Sequence, residues 1–310
     1  MKVLIGYDGT PGAEAVIRDL EFAGLPAVAE ACLMVAIPPV LPMEALAHDP
    51  TGTAWFPIYA ETGEEKARVD AALALGRKGS ESVRARFPDW DVKVEARFEP
   101  PAQSLLEFAE KWKPHLIAVG SHGWSWLGRA LLGSTAEKIL AHADANVRLC
   151  HPRAERQAGP PRIVAAIDGS WDCRQAIEEI GNRAWPAGTR IKLVAARELV
   201  AWTGVMADAA GTGMRTENGD PGRWTWMEKY QKEMVARLRS QGLDASAVIL
   251  EGDPRHILLI EAEAIHADCL FMGRRGVTGF KRLLLGSVSG AVASHAPCSV
   301  EIIRKPVEKG

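Results

Sequence analysis

Apolar runs of strand length alternate with amphipathic stretches from one end of the chain to the other. Lys2–Tyr7 is a short, nearly unbroken apolar run, and Pro11–Leu25 carries its apolar residues at helical spacing. Ala29–Ile37 returns to a strand pattern, Glu64–Phe87 to a helical one, and Asp91–Phe98 alternates with a period of two. Pro101–Lys113 opens with a proline, whose missing N–H costs nothing in a first helical turn, and His115–Gly120 is apolar again. Ser134–Ala143 (helix) and Asn146–His151 (strand) complete the series. A second series follows in the same order: Arg162–Ile167, Trp171–Arg183, Thr189–Arg197, Trp224–Gln241, Asp244–Glu251, Pro254–Ile265, Asp268–Gly273, Ser287–Ala296 and Ser299–Arg304. Strands alternating with helices imply parallel strands covered on both faces. The pattern therefore predicts an α/β protein of two tandem, doubly wound, parallel five-stranded sheets. On such sheets ligands bind beyond the carboxyl ends of the strands, where strand order reverses.

The two series are copies of one another. Gly120-Ser-His-Gly123, nine residues and Gly133-Ser134 recur as Gly273-Arg-Arg-Gly276, nine residues and Gly286-Ser287, with an offset of 153 at every glycine. Asp8-Gly9-Thr10 recurs as Asp168-Gly169-Ser170 at an offset of 160, so the seven-residue difference lies in the middle of the copies. Between them Pro152–Pro161 is polar, has proline at both ends and lacks an apolar period, as expected of a linker. The expected units are residues 1–153 and 162–310, joined by 154–161.

Composition narrows the function. A chain of 310 residues exceeds one ordinary core, and 47% hydrophobic with 25% charged residues is globular rather than disordered or fibrous. A net charge of −2 lacks the basic excess that binding a nucleic-acid backbone requires, so no nucleic-acid partner is expected. The charge is uneven, −4 through residue 154 and +2 beyond it, which makes the second copy the better host for an anion. No apolar run approaches the roughly 18 residues of a membrane span, and Asp8 interrupts the first run before a signal-peptide core forms. A cytoplasmic protein without membrane attachment is expected. Five scattered cysteines without a Cys-x-x-Cys pair fit reduced, buried thiols rather than disulfides or a metal site.

The candidate chemistry lies in the repeated loops. Gly120 and Gly273 fall at strand ends, and Gly133-Ser134 and Gly286-Ser287 fall at helix starts. Glycines there let backbone N–H groups approach an oxyanion and adopt left-handed nest angles, while a serine at the helix start caps it and the helix dipole favours phosphate. Arg274, Arg275, Lys281 and Arg282 add positive charge around the second loop, and His122 is a candidate phosphate neighbour in the first. A Gly-x-x-Gly loop also serves RNA-binding KH domains, but there it joins two helices, and both loops here follow strand-like segments. Neither a Walker loop nor a complete Gly-x-Gly-x-x-Gly is present; Gly211-Thr-Gly213 lacks the third glycine. Of the ten tryptophans, Trp55, Trp124, Trp126, Trp202, Trp224 and Trp226 cluster in or near the variable loops, either as lid packing or as cover for a pocket or interface. The connections Pro38–Gly63 and Glu198–Gly222 are long for segments without structure of their own.

The repeated Asp-Gly-Ser/Thr, Gly-x-x-Gly, nine residues and Gly-Ser resemble the universal stress protein family, and the chain looks like a tandem member with two such domains. The resemblance implies a parallel five-stranded α/β sandwich per domain, of the adenine nucleotide alpha hydrolase-like type, with the two domains pairing as two single-domain chains would. It also implies ATP, or ADP or AMP, as ligand, with magnesium as an optional companion. Residue by residue it places Asp8 and Asp168 near the nucleotide, and the backbones of Ala36 and Ala196 at the adenine edge. Gly120, Gly123, Gly133, Ser134 and Thr135 form the first phosphate and ribose loop, and Gly273, Gly276, Gly286, Ser287, Val288 and Ser289 the second. The family's Gly-x-Pro near the ribose is matched by Gly252-Asp253-Pro254 but replaced by Glu99-Pro100-Pro101 in the first copy, which ranks the second site ahead of the first.

The function expected is that of an adenine-nucleotide-binding regulatory module of the stress response, with at most slow hydrolysis and no catalytic residues or resident metal. The alternative is an interaction scaffold that keeps the fold without nucleotide. The expected partners are the nucleotide and a protein client. Internal domain pairing is expected, with a homodimer of tandem chains as a further option.

Overall fold

The structure, a computed structural model, describes residues 1–37, 63–121, 132–151, 156–197, 221–276 and 285–304. The first half runs β1 (Lys2–Gly6), α1 (Pro11–Asp19), β2 (Glu30–Ala36), α2 (Gly63–Arg86), β3 (Asp91–Arg97), α3 (Pro101–Trp112), β4 (Leu116–Gly120), α4 (Ser134–His142) and β5 (Asn146–Cys150). The second repeats it as β6 (Arg162–Ala166), α5 (Trp171–Gly181), β7 (Arg190–Arg197), α6 (Pro221–Ser240), β8 (Asp244–Glu251), α7 (Pro254–Ala264), β9 (Cys269–Gly273), α8 (Ser287–His295) and β10 (Ser299–Ile303). Most of Pro38–Gly63 and Glu198–Gly222 lies outside the described residues, as do Gly123, His122, Lys281, Arg282 and four of the loop tryptophans.

Within each half every neighbouring strand pair is parallel, in the orders β3-β2-β1-β4-β5 and β10-β9-β6-β7-β8. The two sheets are not separate. β5 and β10 pair antiparallel, with Arg148 opposite Glu301, and merge the halves into one sheet of ten strands. Each would otherwise be an open edge with unpaired backbone groups, and pairing removes both edges at once.

Apolar burial follows this topology. One continuous core covers a single face of the whole sheet, drawing Leu105, Ile139 and Leu140 from α3 and α4, Leu258 and Val292 from α7 and α8, and Val147, Leu149, Val300 and Ile302 from the joining strands. The opposite face carries two separate cores. One, with Val16, Ile17 and Leu20, lies under α1 and α2; the other, with Ile177, Ile180 and Tyr230, lies under α5 and α6. Among the described residues no helix is long and apolar enough to cross a membrane.

Between the two separate cores, on their face of the sheet, sits a line of charges. Arg148 is fully buried, with Nε 2.6 Å from Asp19 Oδ2 and Nη1 3.0 Å from Glu301 Oε2. Arg183 donates to both oxygens of Glu301, to Glu179 and to the Ala23 carbonyl. These contacts explain why α1 stops at Asp19 rather than running to Leu25. The Asp19 carboxylate is held by Arg148 and, at 2.7 Å, by the Ser299 hydroxyl, and the chain turns there through a 3-10 segment, Leu20–Phe22. Arg156 ties the linker to both halves: it stacks 3.8 Å over Phe22 and pairs at 2.9 Å with Asp268. On the other face Arg304 donates to the Leu140 and Ala143 carbonyls that end α4, and Arg274 donates to Ala141 at 3.1 Å. Burial, and then the nearby Arg274 guanidinium, push Arg304 down to about 9. His151, the counterpart of Arg304 at the 153-residue offset, meets the Ala293 carbonyl of α8 at 3.0 Å. Each half thus covers the end of a helix belonging to the other.

Candidate functional site

Strand order reverses between β1 and β4 in the first half and between β6 and β9 in the second, and the crevice that such a reversal leaves at the carboxyl ends of a doubly wound sheet is where a ligand is expected. The aspartates stand at these points. Asp8 Oδ1 accepts the Thr10 amide at 3.0 Å and its hydroxyl at 2.6 Å; Asp168 Oδ1 accepts the Ser170 amide at 2.9 Å. Thr10 and Ser170 then cap α1 and α5 by accepting the Ala13 and Cys173 amides, each at 3.2 Å. The aspartate thereby shapes the turn and keeps Oδ2 directed at the loop that follows β9. A Cβ built on Gly276 would come within 2.7 Å of Asp168 Oδ2, so any side chain there would push the carboxylate from this position.

The second glycine loop closes on itself. Gly286 donates to the Arg274 carbonyl at 3.0 Å, Arg274 donates to Ile303 at 3.1 Å, and Arg275 donates through its amide to Asp172 Oδ2 at 3.1 Å. The first loop repeats the frame, with Gly133 donating to Ser121 at 2.8 Å and Ser121 to Cys150 at 3.0 Å. Gly120 ends β4 in the position Gly273 occupies at the end of β9.

Two expectations about these loops change. Gly120, Gly133, Gly273, Gly276 and Gly286 do not take left-handed angles; those belong to Gly9 and Gly169, at φ +75° and +82°, directly after the aspartates. At Gly276 glycine serves for room, not for angle. Nor do Ser134 and Ser287 cap their helices. Gly133 and Gly286 occupy the capping position without any side-chain cap, and each serine is the first helical residue, exposed. The first-turn amides of α4 (Ser134, Thr135) and of α8 (Ser287, Val288) therefore have no capping side chain, the condition in which a helix start receives an anion. Ser289 is different. Its hydroxyl is buried and donates to the carbonyls of Gly273 and Arg274, at 3.0 and 3.1 Å.

The alanines lie beyond the ends of the β1–β2 and β6–β7 ladders. The β1–β2 ladder ends at Gly6 opposite Met34, and the Met34 carbonyl accepts the Tyr7 amide at 2.9 Å. Alternate residues of a strand turn their backbone groups to the same side, so Ala36, two residues on, faces the space beyond β1. Ala196 stands likewise beyond β6, because Val194 accepts the Ile167 amide at 2.9 Å.

The crevices differ at their rims. Gly252, at φ +141°, takes an angle that side chains rarely adopt and donates to the Arg197 carbonyl at 2.9 Å. At the matching position Glu99 lies between the Arg97 guanidinium at 3.9 Å and the Ser104 hydroxyl at 3.4 Å. The second rim is aromatic. Trp226 lies against Gly169 and stacks on Tyr230 with centroids 5.2 Å apart, and Arg197 sits 4.7 Å over Trp224. The loop arginines are engaged elsewhere, Arg274 with α4 and Arg275 with Asp172. Sequence reasoning missed Asp172; an acid in the first turn of the helix after Asp-Gly-Ser was the available signal.

Fold and crevices define a class: a tandem α/β protein in which one doubly wound unit, with its Asp-Gly turn, glycine loop and uncapped helix start, is built twice. The universal stress protein family model matches residues 1–151 and again 160–304, and the chain belongs to that family. A universal stress protein of Mycolicibacterium smegmatis is 28% identical over 97% of this chain and 96% of its own length. One from Mycobacterium tuberculosis is 31% identical over 62% of this chain and 59% of its own. Among solved structures, a universal stress protein from Archaeoglobus fulgidus superposes with a TM-score of 0.66 at 17% identity, covering 98% of both chains.

Proposed function

We propose that this protein binds an adenine nucleotide, ATP with magnesium or its products ADP and AMP, and acts as a regulatory module of the stress response rather than as a catalyst. The observation that carries this reading is the second crevice. There the Gly276 backbone lies against the Asp168 carboxylate, beside the uncapped first turn of α8. Phosphates would rest on the amides of Gly276, Ser287 and Val288, the adenine edge on the Ala196 backbone, and the ribose beside Gly252. The first half would use Asp8, Ala36, Gly120, Gly123, Gly133, Ser134 and Thr135 in the same way, with Glu99 in place of Gly252, and ranks second. Residues 1–153 and 162–310 would be the two binding units. With one carboxylate committed to its own turn, hydrolysis would be slow at most.

The test is to denature freshly purified protein, identify any released nucleotide by mass spectrometry and count it per chain. At a hundredfold excess over the dissociation constant, ATP with magnesium should stabilise the fold by about 2.7 kcal/mol. Gly276→Asp, which sets a second carboxylate against Asp168, should abolish that shift. An undiminished shift would remove the second loop from the site. No released nucleotide together with no shift in the parent protein would favour the scaffold reading instead.

A further inference from the structure

The junction between the halves carries an approximate twofold axis normal to the sheet, since β5 meets β10 antiparallel while α3, α4, α7 and α8 share one face. The 153-residue offset maps Arg148 onto Glu301, and the two stand directly opposite each other on that axis. In a truly symmetric pair an axial residue faces its own copy. Here it faces the opposite charge. Arg148 Nη1 lies 3.0 Å from Glu301 Oε2, and both side chains are 0% exposed. Asp19 flanks Arg148, and Arg183 with Glu179 flanks Glu301, so five charges alternate in sign across the axis.

We infer that this axial ion pair makes the pairing edge of each half selective for the other half, so that β5 accepts β10 and rejects a second β5, while β10 rejects a second β10. A β5–β5 junction would bury Arg148 against Arg148, and a β10–β10 junction Glu301 against Glu301. Like charges placed opposite each other on adjacent strands repel, and away from water Asp19 beside Arg148, or Arg183 beside Glu301, replaces only part of the lost axial pairing. The neighbouring positions do not discriminate. Val147 and Leu149 on one edge and Val300 and Ile302 on the other are all buried aliphatic residues. The sign of the axial charge tells the two edges apart, and a mismatch there acts against the wrong partner rather than for the right one. A chain assembled this way closes on itself, half against half.

Two sets of full-length variants test this. Glu301→Arg carries arginine at both axial positions, and Arg148→Glu carries glutamate at both. Alone, each should lose the wild-type melting transition. Refolded together from denaturant, they should give a 1:1 complex of two chains by native mass spectrometry, because sign complementarity then exists only between chains. Should the charged variants not refold even when mixed, Arg148→Leu/Glu301→Leu decides. It keeps the axis apolar, leaves Arg183 on Glu179 and Asp19 on Ser299, and makes either edge acceptable to itself. Its mass distribution after refolding over a concentration series should shift towards paired chains relative to the wild type. A distribution identical to the wild type in that variant, or wild-type melting of both single reversals with no complex on mixing, would overturn the inference.

Discussion

Burial keeps four of the five thiols in the protonated, unreactive state. Cys32, Cys150, Cys173, Cys269 and Cys298 are buried, and burial pushes Cys32 and Cys173 up to about 12 and Cys150 and Cys269 well above their ordinary range. Since the thiolate is the reacting species, a chromogenic disulfide reagent at pH 8 should label none of them in the native protein and all five after denaturation. Fast labelling of one thiol without denaturant would show that its segment opens locally. The scatter of the cysteines along the chain was enough to predict buried, unpaired thiols. For the loop glycines the sequence showed where they stand but not why. A Gly-x-x-Gly reads equally as an unusual angle or as a close approach, and only the position of the Asp168 carboxylate, 108 residues before Gly276, decides for the second.

Helix starts and ends divide by the same rule. Thr10 and Ser170 cap α1 and α5 through contacts three residues long, a signal local to Asp-Gly-Thr and Asp-Gly-Ser that the sequence reading did not use. The end of α1 has no such local signal, because Asp19 is held by Arg148 and Ser299, 129 and 280 residues away. Strands were the most legible elements, since parallel strands covered on both faces spell nearly continuous apolar runs. At the start of α7 a local contact carries a pH dependence. Asp253 caps the helix by accepting the Arg255 amide at 2.8 Å, and the Arg255 side chain holds its carboxylate down to about 2. A carboxylate depressed in the folded state contributes stability above its unfolded value of about 3.9 and loses it as pH falls through the folded one. Compared by thermal melts, the wild type should exceed Asp253→Asn by a small margin at pH 7, since the pair is largely exposed, and the margin should vanish towards pH 2. A margin that persists at pH 2 would mean that the carboxylate charge is not its source.

At the scale of the whole molecule, the repeat announced two copies of one fold, while the single sheet stayed hidden. One trace of it was present in the sequence. Arg148 and Glu301 interrupt otherwise largely apolar strands at equivalent positions with opposite signs, as a shared junction between them requires. The continuous core on one face makes the halves interdependent. Scanning calorimetry should therefore show one transition whose calorimetric and van't Hoff enthalpies agree, and two resolved transitions would disprove that coupling. Strand direction reverses only at the β5–β10 ladder, so the carboxyl ends of β1–β5 and of β6–β10 point opposite ways. The two crevices are displaced by about 19 Å across the sheet, at a usual strand spacing of about 4.8 Å, and open at opposite poles. No small ligand reaches from one to the other. Under the proposed function, nucleotides bound in the two halves would therefore meet separate surroundings, one at each pole.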